Sequence, residues 1–139
     1  MRTFPRHAIA LIATLLISGN TLAMCTDSRS PTVEAEYAQS DIVATGFVTE
    51  HVDVSSSDDP EGVEKTIYQF KVVNSYKGGA HPILLITSDN TSSRFPMERG
   101  RPYLVFLRSA DGELFIDSCG NSGPSEQRAA VIAQLPRQP

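Results

Sequence analysis

Two cysteines and two histidines are the side chains best suited to chemistry beyond the first 23 positions of this 139-residue chain. Cys25 and Cys119 lie 94 positions apart, and His51 and His81 lie 30 positions apart. A protein metal site takes ligands at short, regular spacings, and a thiol nucleophile needs a base held beside it. Because these spacings offer neither arrangement, we expect no catalytic residue, no metal ligand and no cofactor.

A group of acidic residues is the other candidate for a binding site. Calcium prefers carboxylate oxygens, but these residues do not have the spacing of an EF-hand loop. They surround the segment Ser55–Gly62, whose serines, aspartates, proline and glycine are typical of a loop. We interpret them as the solvated tip of a hairpin. The acidic residues are Asp53, Asp58, Asp59, Glu61 and Glu64.

The net charge excludes one broad class of function. Residues 1–23 hold two arginines and no acidic side chain, so the rest of the chain has 10 basic and 16 acidic residues and a formal charge of −6. A nucleic-acid-binding protein needs a basic surface that displaces counterions from phosphate, so we expect no nucleic-acid partner. Arg94, Arg99 and Arg101 would suit an anionic partner, but we favour ordinary surface charge as their explanation.

The N-terminus has the pattern of a secretory signal peptide. Two arginines precede the apolar run Ala8–Ile17, and small residues follow at positions 21 and 23. The run of ten residues is too short for a membrane span, which needs about 20. We therefore expect cleavage after residues 1–23, export of one domain, residues 24–139, to the periplasm or the extracellular space, and no transmembrane segment.

A lipid anchor at Cys25 is the alternative fate of this N-terminus. The segment Leu22–Cys25 resembles a lipoprotein signal, in which the cysteine becomes the acylated first residue. Met24 stands where that signal has a small residue, so we favour cleavage without lipidation.

Export would determine whether the two cysteines are oxidised. Both lie after the cleavage site, and an oxidising compartment would join Cys25 to Cys119 in a disulfide. Closing so long a loop would stabilise the fold by about 4–5 kcal/mol in the chain-entropy account. The alternative is a reactive thiol at Cys119, which would need a base nearby.

The periodicity of the exported part predicts a mainly β fold. The segment Thr66–Val73 alternates apolar and polar residues, as a half-buried strand does. Gly46 lies inside a β-rich run and indicates a bulge or bend. We expect helices over Pro31–Ser40 and Glu126–Leu135, the second capped by Ser125. We expect strands over Asp41–Val52, Thr66–Val73, Ile83–Thr87, Tyr103–Leu107 and Leu114–Ile116.

Two of these expectations concern packing. The unbroken apolar run Ile83–Thr87 predicts a strand that is buried on both faces. Ala129, Ile132 and Leu135 recur at helical spacing and predict a C-terminal helix packed on the sheet. Five short strands with a glycine bend and two flanking helices favour a five-stranded antiparallel Greek-key barrel.

Four segments, taken in order, resemble the bacterial members of the tissue-inhibitor-of-metalloproteinases-like (TIMP-like) group, which has the netrin-type (NTR) fold. The resemblance spans roughly residues 23–130 and implies an OB-type barrel whose N-terminal segment is tied to it by disulfides. The segments are Ser40–Val48, Tyr68–Gly78, Phe95–Phe106 and Leu114–Cys119.

The cysteines depart from the family pattern in a consistent way. That pattern begins Cys-x-Cys, where this chain has Ala23-Met24-Cys25, and it has a further cysteine where this chain has Ser93. In the family the two cysteines absent here resemble bridge partners, so their joint loss leaves no unpaired thiol. The pair Cys25 and Cys119 matches the second bridge of the family.

The resemblance also implies a function. In the animal inhibitors, the free amino group and carbonyl of the first residue chelate the catalytic zinc of the target protease. Here cleavage would make Met24 first, so Met24, Cys25 and Thr26 are the expected partner-binding residues. We expect a non-enzymatic exported binding module with a protein partner, a metalloprotease or an envelope protein.

Two other functions stay open at this stage. A structural or ligand-binding envelope protein would keep the barrel without inhibiting a protease. A small exported hydrolase would need a convergent set of acid, base and nucleophile, and a cleft that holds His51 or His81 beside a carboxylate would support it.

Overall fold

The computed structural model describes residues 31–136, and these residues form a mainly β structure. Met24, Cys25, Thr26 and the predicted signal peptide at residues 1–23 lie outside the described residues. The elements are α1 (Val33–Gln39), β1 (Ile42–Ser55), β2 (Val63–Lys77), β3 (Ile83–Asp89), β4 (Pro102–Ala110), β5 (Glu113–Phe115), β6 (Gly123–Pro124), a 3-10 helix (Ser125–Gln127) and α2 (Ala129–Ile132).

Five strands close into a ring. β1 pairs with β2, β2 with β3, β3 with β5, β5 with β4, and β4 again with β1, while β6 adds to the second edge of β4. The five predicted strands are all present, and β6 is a sixth that the sequence did not predict. The expectation of a wholly antiparallel sheet is wrong, because β3 and β5 run parallel. Since β2 and β4 both oppose β1, their partners β3 and β5 must share one direction.

Ring closure requires β1 to serve two neighbours at once. Over Ile42–Phe47 it pairs with β4 on one edge and with β2 on the other. The β1–β2 register shifts between Thr45 and Gly46, which confirms the predicted irregularity. A Cβ at Gly46 would overlap the carbonyl of Lys71 and the ring of Phe70, so only glycine lets the strands approach this closely.

The core has two parts, separated by β4. Tyr103, Val105 and Leu107 face the interior of the ring, while Leu104 and Phe106 face α1 and the C-terminal segment. Each of these side chains is nearly inaccessible to solvent. This alternation explains how the run Tyr103–Leu107 is apolar throughout and yet forms a strand.

Unlike β4, β3 is buried on one face only, and the prediction that it is buried on both faces is wrong. Leu84 and Ile86 are buried inside the ring, whereas Ile83 is 53% exposed and Leu85 is 62% exposed. The physical reason is that the second layer, made by α1 and the C-terminal segment, lies over β4 and the start of β1 but not over β3. No described residue covers the outer surface of β3 at these two positions.

The predicted C-terminal helix is also broken into two pieces. The 3-10 helix ends at Gln127, and Arg128, at φ −114°, separates it from α2. The Arg128 guanidinium donates hydrogen bonds to the carbonyls of Asn121 and Ser122, which fixes the residue outside a helix. The predicted cap Ser125 is instead the first residue of the 3-10 helix, and Pro124 occupies the N-cap position without a side-chain bond.

Only part of the predicted helix face packs on the sheet. Leu135 is buried and Ile132 lies half-buried in the outer part of the core, but Ala129 is exposed. No helix within residues 31–136 has the length and apolar content to cross a lipid bilayer.

The two neighbours Leu85 and Ile86 give a direct test of this packing. We expect Ile86→Ala to lower the free energy of unfolding by about 2–5 kcal/mol, because it leaves a cavity in the ring. We expect Leu85→Ala to lower it by less than about 1 kcal/mol, because that side chain is already solvated. Urea denaturation measures both, and equal losses would show that β3 is covered on both faces.

Candidate functional site

Three segments of the chain meet at one end of the ring. They are the hairpin tip (Ser56–Gly62), the start of the β3–β4 connection (Asn90–Arg94), and the turn that holds Cys119. The Asn90 backbone N–H donates to the Glu64 carbonyl at 2.8 Å, and its side-chain amide donates to the Val63 carbonyl at 2.7 Å. These bonds hold the connection against the base of the tip.

The turn that holds Cys119 joins the same end through a backbone contact. Ser118 N–H donates to the Ser93 carbonyl at 2.9 Å. Asp117 Oδ1 accepts a hydrogen bond of 2.8 Å from the Cys119 N–H, which is a local Asx turn. The Ser118 hydroxyl is buried and finds no hydrogen-bond partner among the described residues. The position of Cys119 is thus fixed by the backbone bond of the residue before it and by the bond from its own N–H to Asp117.

A cleft of about 630 Å³ opens beside this turn, between α1, β4 and β5. Its wall combines charged side chains with aromatic and aliphatic ones, which is the character of sites that accept small polar molecules or an extended chain segment. The described residues that line it are Pro31, Glu36, Gln39, Ser40, Asp89, Ser93, Phe106, Arg108, Phe115, Ile116, Asp117, Cys119 and Gly120.

Glu36 is the buried charged group of this cleft. It lies on α1 and is 8% exposed. One of its carboxylate oxygens accepts two hydrogen bonds of 2.6 Å, from the backbone N–H and from the side-chain amide of Asn121. The same amide donates to the Pro31 carbonyl at 2.9 Å. A Cβ at Gly120 would overlap the Glu36 carboxylate, so the turn comes close enough only because this residue is glycine.

The surroundings of Glu36 favour its neutral form. Burial raises the pKa of the carboxyl above its ordinary value of 4.5, and the negative charge of Asp117 adds to the rise. The hydrogen bonds from Asn121 and the positive charge of Arg108 lower the same pKa by less. Arg108 itself donates to Gln39 at 2.7 Å. The cleft therefore holds a carboxyl that would exchange a proton at a higher pH than an exposed glutamate.

The residues that the sequence selected are distributed unevenly around this site. Met24, Cys25 and Thr26 lie outside the described residues, so the predicted bridge and the predicted partner contacts stay predictions. Cys119 lines the cleft. The predicted loop Ser55–Gly62 forms the tip except for Ser55, which ends β1, and the polar segment Asn90–Arg94 follows the end of β3.

The two histidines lie away from the cleft. His51 is exposed on β1, with its ring 5.9 Å from the ring of Tyr68. His81 lies in the β2–β3 connection, where its Nε2 is 3.1 Å from the Gly78 carbonyl. The structure does not bring either of them beside a carboxylate of the cleft. Within residues 31–136 no three histidine, cysteine or acidic side chains are grouped as metal ligands would be.

The three arginines that the sequence selected differ in their contacts. Arg101 contacts Glu126 at 2.6 Å and Glu98 at 3.3 Å, and the hydrogen bond with Arg101 lowers the pKa of Glu126. Arg94 and Arg99 are exposed. Arg101 is thus committed to the fold, while Arg99 is available for a contact with another molecule.

Sequence reasoning missed the central polar residues of the cleft. Glu36 stands between Val33 and Tyr37, on the side of α1 that packs inward, and a charged residue at such a position is a usable signal. Asn121 and Gly120 follow Cys119 in what reads as an ordinary turn, so nothing in the sequence links them to Glu36.

The comparisons with known proteins add no family to this description. No protein-family model matches the chain, and none of the curated proteins matches it.

The raised pKa of Glu36 leads to a prediction about acid. A carboxyl whose pKa is higher in the folded state binds its proton more tightly there, so folding gains stability as the pH falls through that pKa. The gain is complete below the ordinary value of 4.5. Relative to Glu36→Gln, which does not titrate, the wild type should therefore gain stability on acidification from neutral pH.

Urea denaturation over a pH series measures this difference. Glu34→Gln is the matched control, since Glu34 lies on the same helix and is exposed, and its difference from the wild type should lack the same rise. A wild-type protein that loses stability relative to Glu36→Gln on acidification would contradict the raised pKa.

Proposed function

We propose that the chain is an exported, non-enzymatic binding module of the TIMP-like group, with a netrin-type OB fold, that acts in the periplasm or outside the cell. It binds a protein partner at one end of the ring. The binding surface consists of the N-terminal segment that begins at Met24, the hairpin tip Ser56–Gly62 and the segment Asn90–Arg94.

One observation carries this proposal: the hairpin tip, the β3–β4 connection and the Cys119 turn are contiguous. Asn90 bonds to the base of the tip, and Ser93 accepts a hydrogen bond from Ser118. A surface made of several loops on a rigid sheet is the usual form of a protein-binding site. A bridge from Cys25 to Cys119 would add the N-terminal segment to the same surface.

The position of Ser93 supports the alignment with the family. The family joins its first two cysteines, which match positions 23 and 25 here, to cysteines at the positions of Ser93 and Cys119. Residues that anchor two such near neighbours should themselves be close together. Ser93 accepts a hydrogen bond from Ser118, the residue before Cys119. Ser93 and Cys119 both line the cleft.

The strand arrangement supports the OB-type assignment. Five strands close into a ring through the β1–β4 pairing, and the order β3-β5-β4 departs from chain order, as the Greek-key connection of a five-stranded barrel requires. The bend at Gly46 and the helical segments that cover only one side of β4 are in keeping with a small barrel.

Inhibition of a metalloprotease is the sharper form of the proposal. The amino group and carbonyl of Met24 would occupy the open coordination position of the zinc, which accepts ligands only at bonding distance. Position 23 carries no cysteine in this chain, so the bridge to Cys119 would be the one staple that holds Met24 in place.

The cleft favours a second candidate, a ligand-binding envelope protein. Glu36, Arg108 and Asp117 place both signs of charge beside apolar walls in a volume of about 630 Å³, which suits a small polar molecule. Loss of binding of such a molecule in Glu36→Ala, with partner binding at the rim intact, would favour this function over the first.

The predicted bridge can be tested by a double-mutant cycle. If Cys25 and Cys119 are joined, Cys25→Ser, Cys119→Ser and the double variant should lose the same stability, about 4 kcal/mol. The thiols of the wild type should react with a labelling reagent only after reduction. Additive losses in the double variant, or labelling without reduction, would show that the cysteines are not paired.

The predicted inhibition depends on a free first residue. We expect the protein that starts at Met24 to slow a zinc protease, and we expect a form that retains Ala23 in front to lose this effect, because the added residue displaces the chelating amino group. The matched control carries one extra residue after Pro139.

Assays with a panel of zinc proteases decide between the forms of the proposal. Equal inhibition by the Met24 and Ala23 forms would rule out chelation by the first residue. If no protease of the panel is inhibited, the proposal is reduced to binding of a partner that is not a zinc protease.

A further inference from the structure

The part of β1 beyond Val48 has an edge that the described residues leave open. β1 pairs with β4 only over Ile42–Phe47. At Val48 the edge is closed by one bridge to Arg99, where the Gly100 N–H donates to the Val48 carbonyl at 2.9 Å. From Glu50 to Ser55 the strand pairs with β2 alone among the described residues. An open strand edge is a template for pairing with another strand.

The outer face beside this edge carries exposed apolar side chains, interspersed with polar ones such as Gln69 and Lys71. Val52 is 63% exposed and lies in register with Ile67 on β2, which lies in register with Thr87 on β3. The exposed Ile83 and Leu85 continue the same face of β3. A strand added at the open edge would therefore extend the hydrogen-bonded ladder and cover the exposed Val52 side chain.

We propose that the occupant of this edge is a second copy of the chain, paired antiparallel to the first about a two-fold axis through Val52. This goes beyond the proposed function. In an antiparallel pair, opposed residues point to the same face, so a two-fold axis normal to the sheet must pass through a residue pair rather than between residues. The choice of central residue then fixes every opposed pair.

Among the possible positions of the axis, the one at Val52 avoids placing like side chains of His51 or Asp53 opposite each other. With Val52 opposite itself, His51 lies opposite Asp53 of the second copy, and the converse pair forms by symmetry. A centre at His51 would oppose two histidines, and a centre at Asp53 would oppose two carboxylates, which is unfavourable. Asp53 is already oriented, because its Oδ1 accepts a hydrogen bond of 2.7 Å from the Thr66 hydroxyl.

The same register brings the acidic tip to a basic residue. The new ladder ends where Ser55 of one copy comes opposite Thr49 of the other, next to Val48, whose edge the Arg99 bridge already occupies. The tip that follows, with Asp58, Asp59 and Glu61, therefore lies beside Arg99 of the second copy. Arg99 is exposed, so it would gain an ion pair without giving up one that the structure shows.

Apolar contact follows from this register as well. The two Val52 side chains meet on the axis, and each is flanked by the half-buried Ile67 of its own copy. A continuous row of four apolar side chains would then cross the interface. One two-fold arrangement thus pairs the backbone groups of both open edges, covers both Val52 side chains and brings opposite charges together. Two-fold symmetry is also the commonest symmetry of homodimers.

Cross-linking at the axis tests the register directly. Opposed residues in an antiparallel pair have Cα atoms about 4.5–5.5 Å apart, which is within reach of a disulfide. We expect Val52→Cys in the mature full-length protein to form a disulfide-linked dimer under mild oxidation. Leu85→Cys is the matched control, since Leu85 is 62% exposed on the same face but lies on the third strand from the axis and two residues along it, and would be about 27 Å from its counterpart.

A charge exchange tests the contact between the tip and Arg99. We expect Arg99→Glu to weaken the dimer about tenfold, since two ion pairs become repulsive contacts. Asp58→Arg added to Arg99→Glu should restore association, and Lys71→Glu, an equal charge change at an exposed position of β2 outside the open edge, should leave it unchanged. Analytical ultracentrifugation over a wide range of protein concentration measures the dissociation constants.

The results that would overturn the proposal are distinct from these. A wild-type protein that is monomeric at every concentration shows that no second copy binds. Cross-linking of Leu85→Cys equal to that of Val52→Cys, or a failure of Asp58→Arg to restore association, shows that the copies meet by another surface.

Discussion

The closure of the sheet through β1 is the constraint on which the rest of the structure depends. One strand must bond to β2 on one edge and to β4 on the other, so it bends where Gly46 lies against the Lys71 carbonyl. That closure forces β3 and β5 to run in the same direction and puts β4 between two layers of core. It also ends at Val48, beyond which β1 and β2 continue as a hairpin that carries the acidic tip.

The candidate site follows from where that closure leaves the loops. The tip, the β3–β4 connection and the Cys119 turn are brought to one end of the ring, and hydrogen bonds through Asn90 and Ser118 hold them together. Glu36 then ties α1 to the adjoining turn through Asn121. Pro31, the first described residue, accepts a hydrogen bond from Asn121 in this turn, which is why we propose that the N-terminus shares the binding surface.

The local residue pattern predicted where the strands and the bend lie, but it did not predict which residues are covered by a second layer. The alternation in Thr66–Val73 and the glycine at position 46 identify strands and a bend, because each depends on neighbours in the chain. The exposure of Leu85 and the burial of Glu36 depend instead on whether a second layer lies over the residue. The sequence of β3 does not contain that information, and α1 indicates it only through the position of Glu36 between Val33 and Tyr37. The break at Arg128 is of the same kind, since its cause is a hydrogen bond to residues 121 and 122. The resemblance to the TIMP-like group drew attention to Cys119 and Ser93, but not to the polar cleft beside them.

The central claim, that a protein partner binds at this end of the ring, can be measured by photo-crosslinking in the native envelope. A photoreactive residue at Asn90 would lie between the tip and the Cys119 turn, and one at Ala80, in the β2–β3 connection, would lie at the opposite end of β2 and β3. We predict that the probe at Asn90 captures one defined protein and that the probe at Ala80 does not. Capture of the same protein at both positions, or at Ala80 alone, would contradict the account.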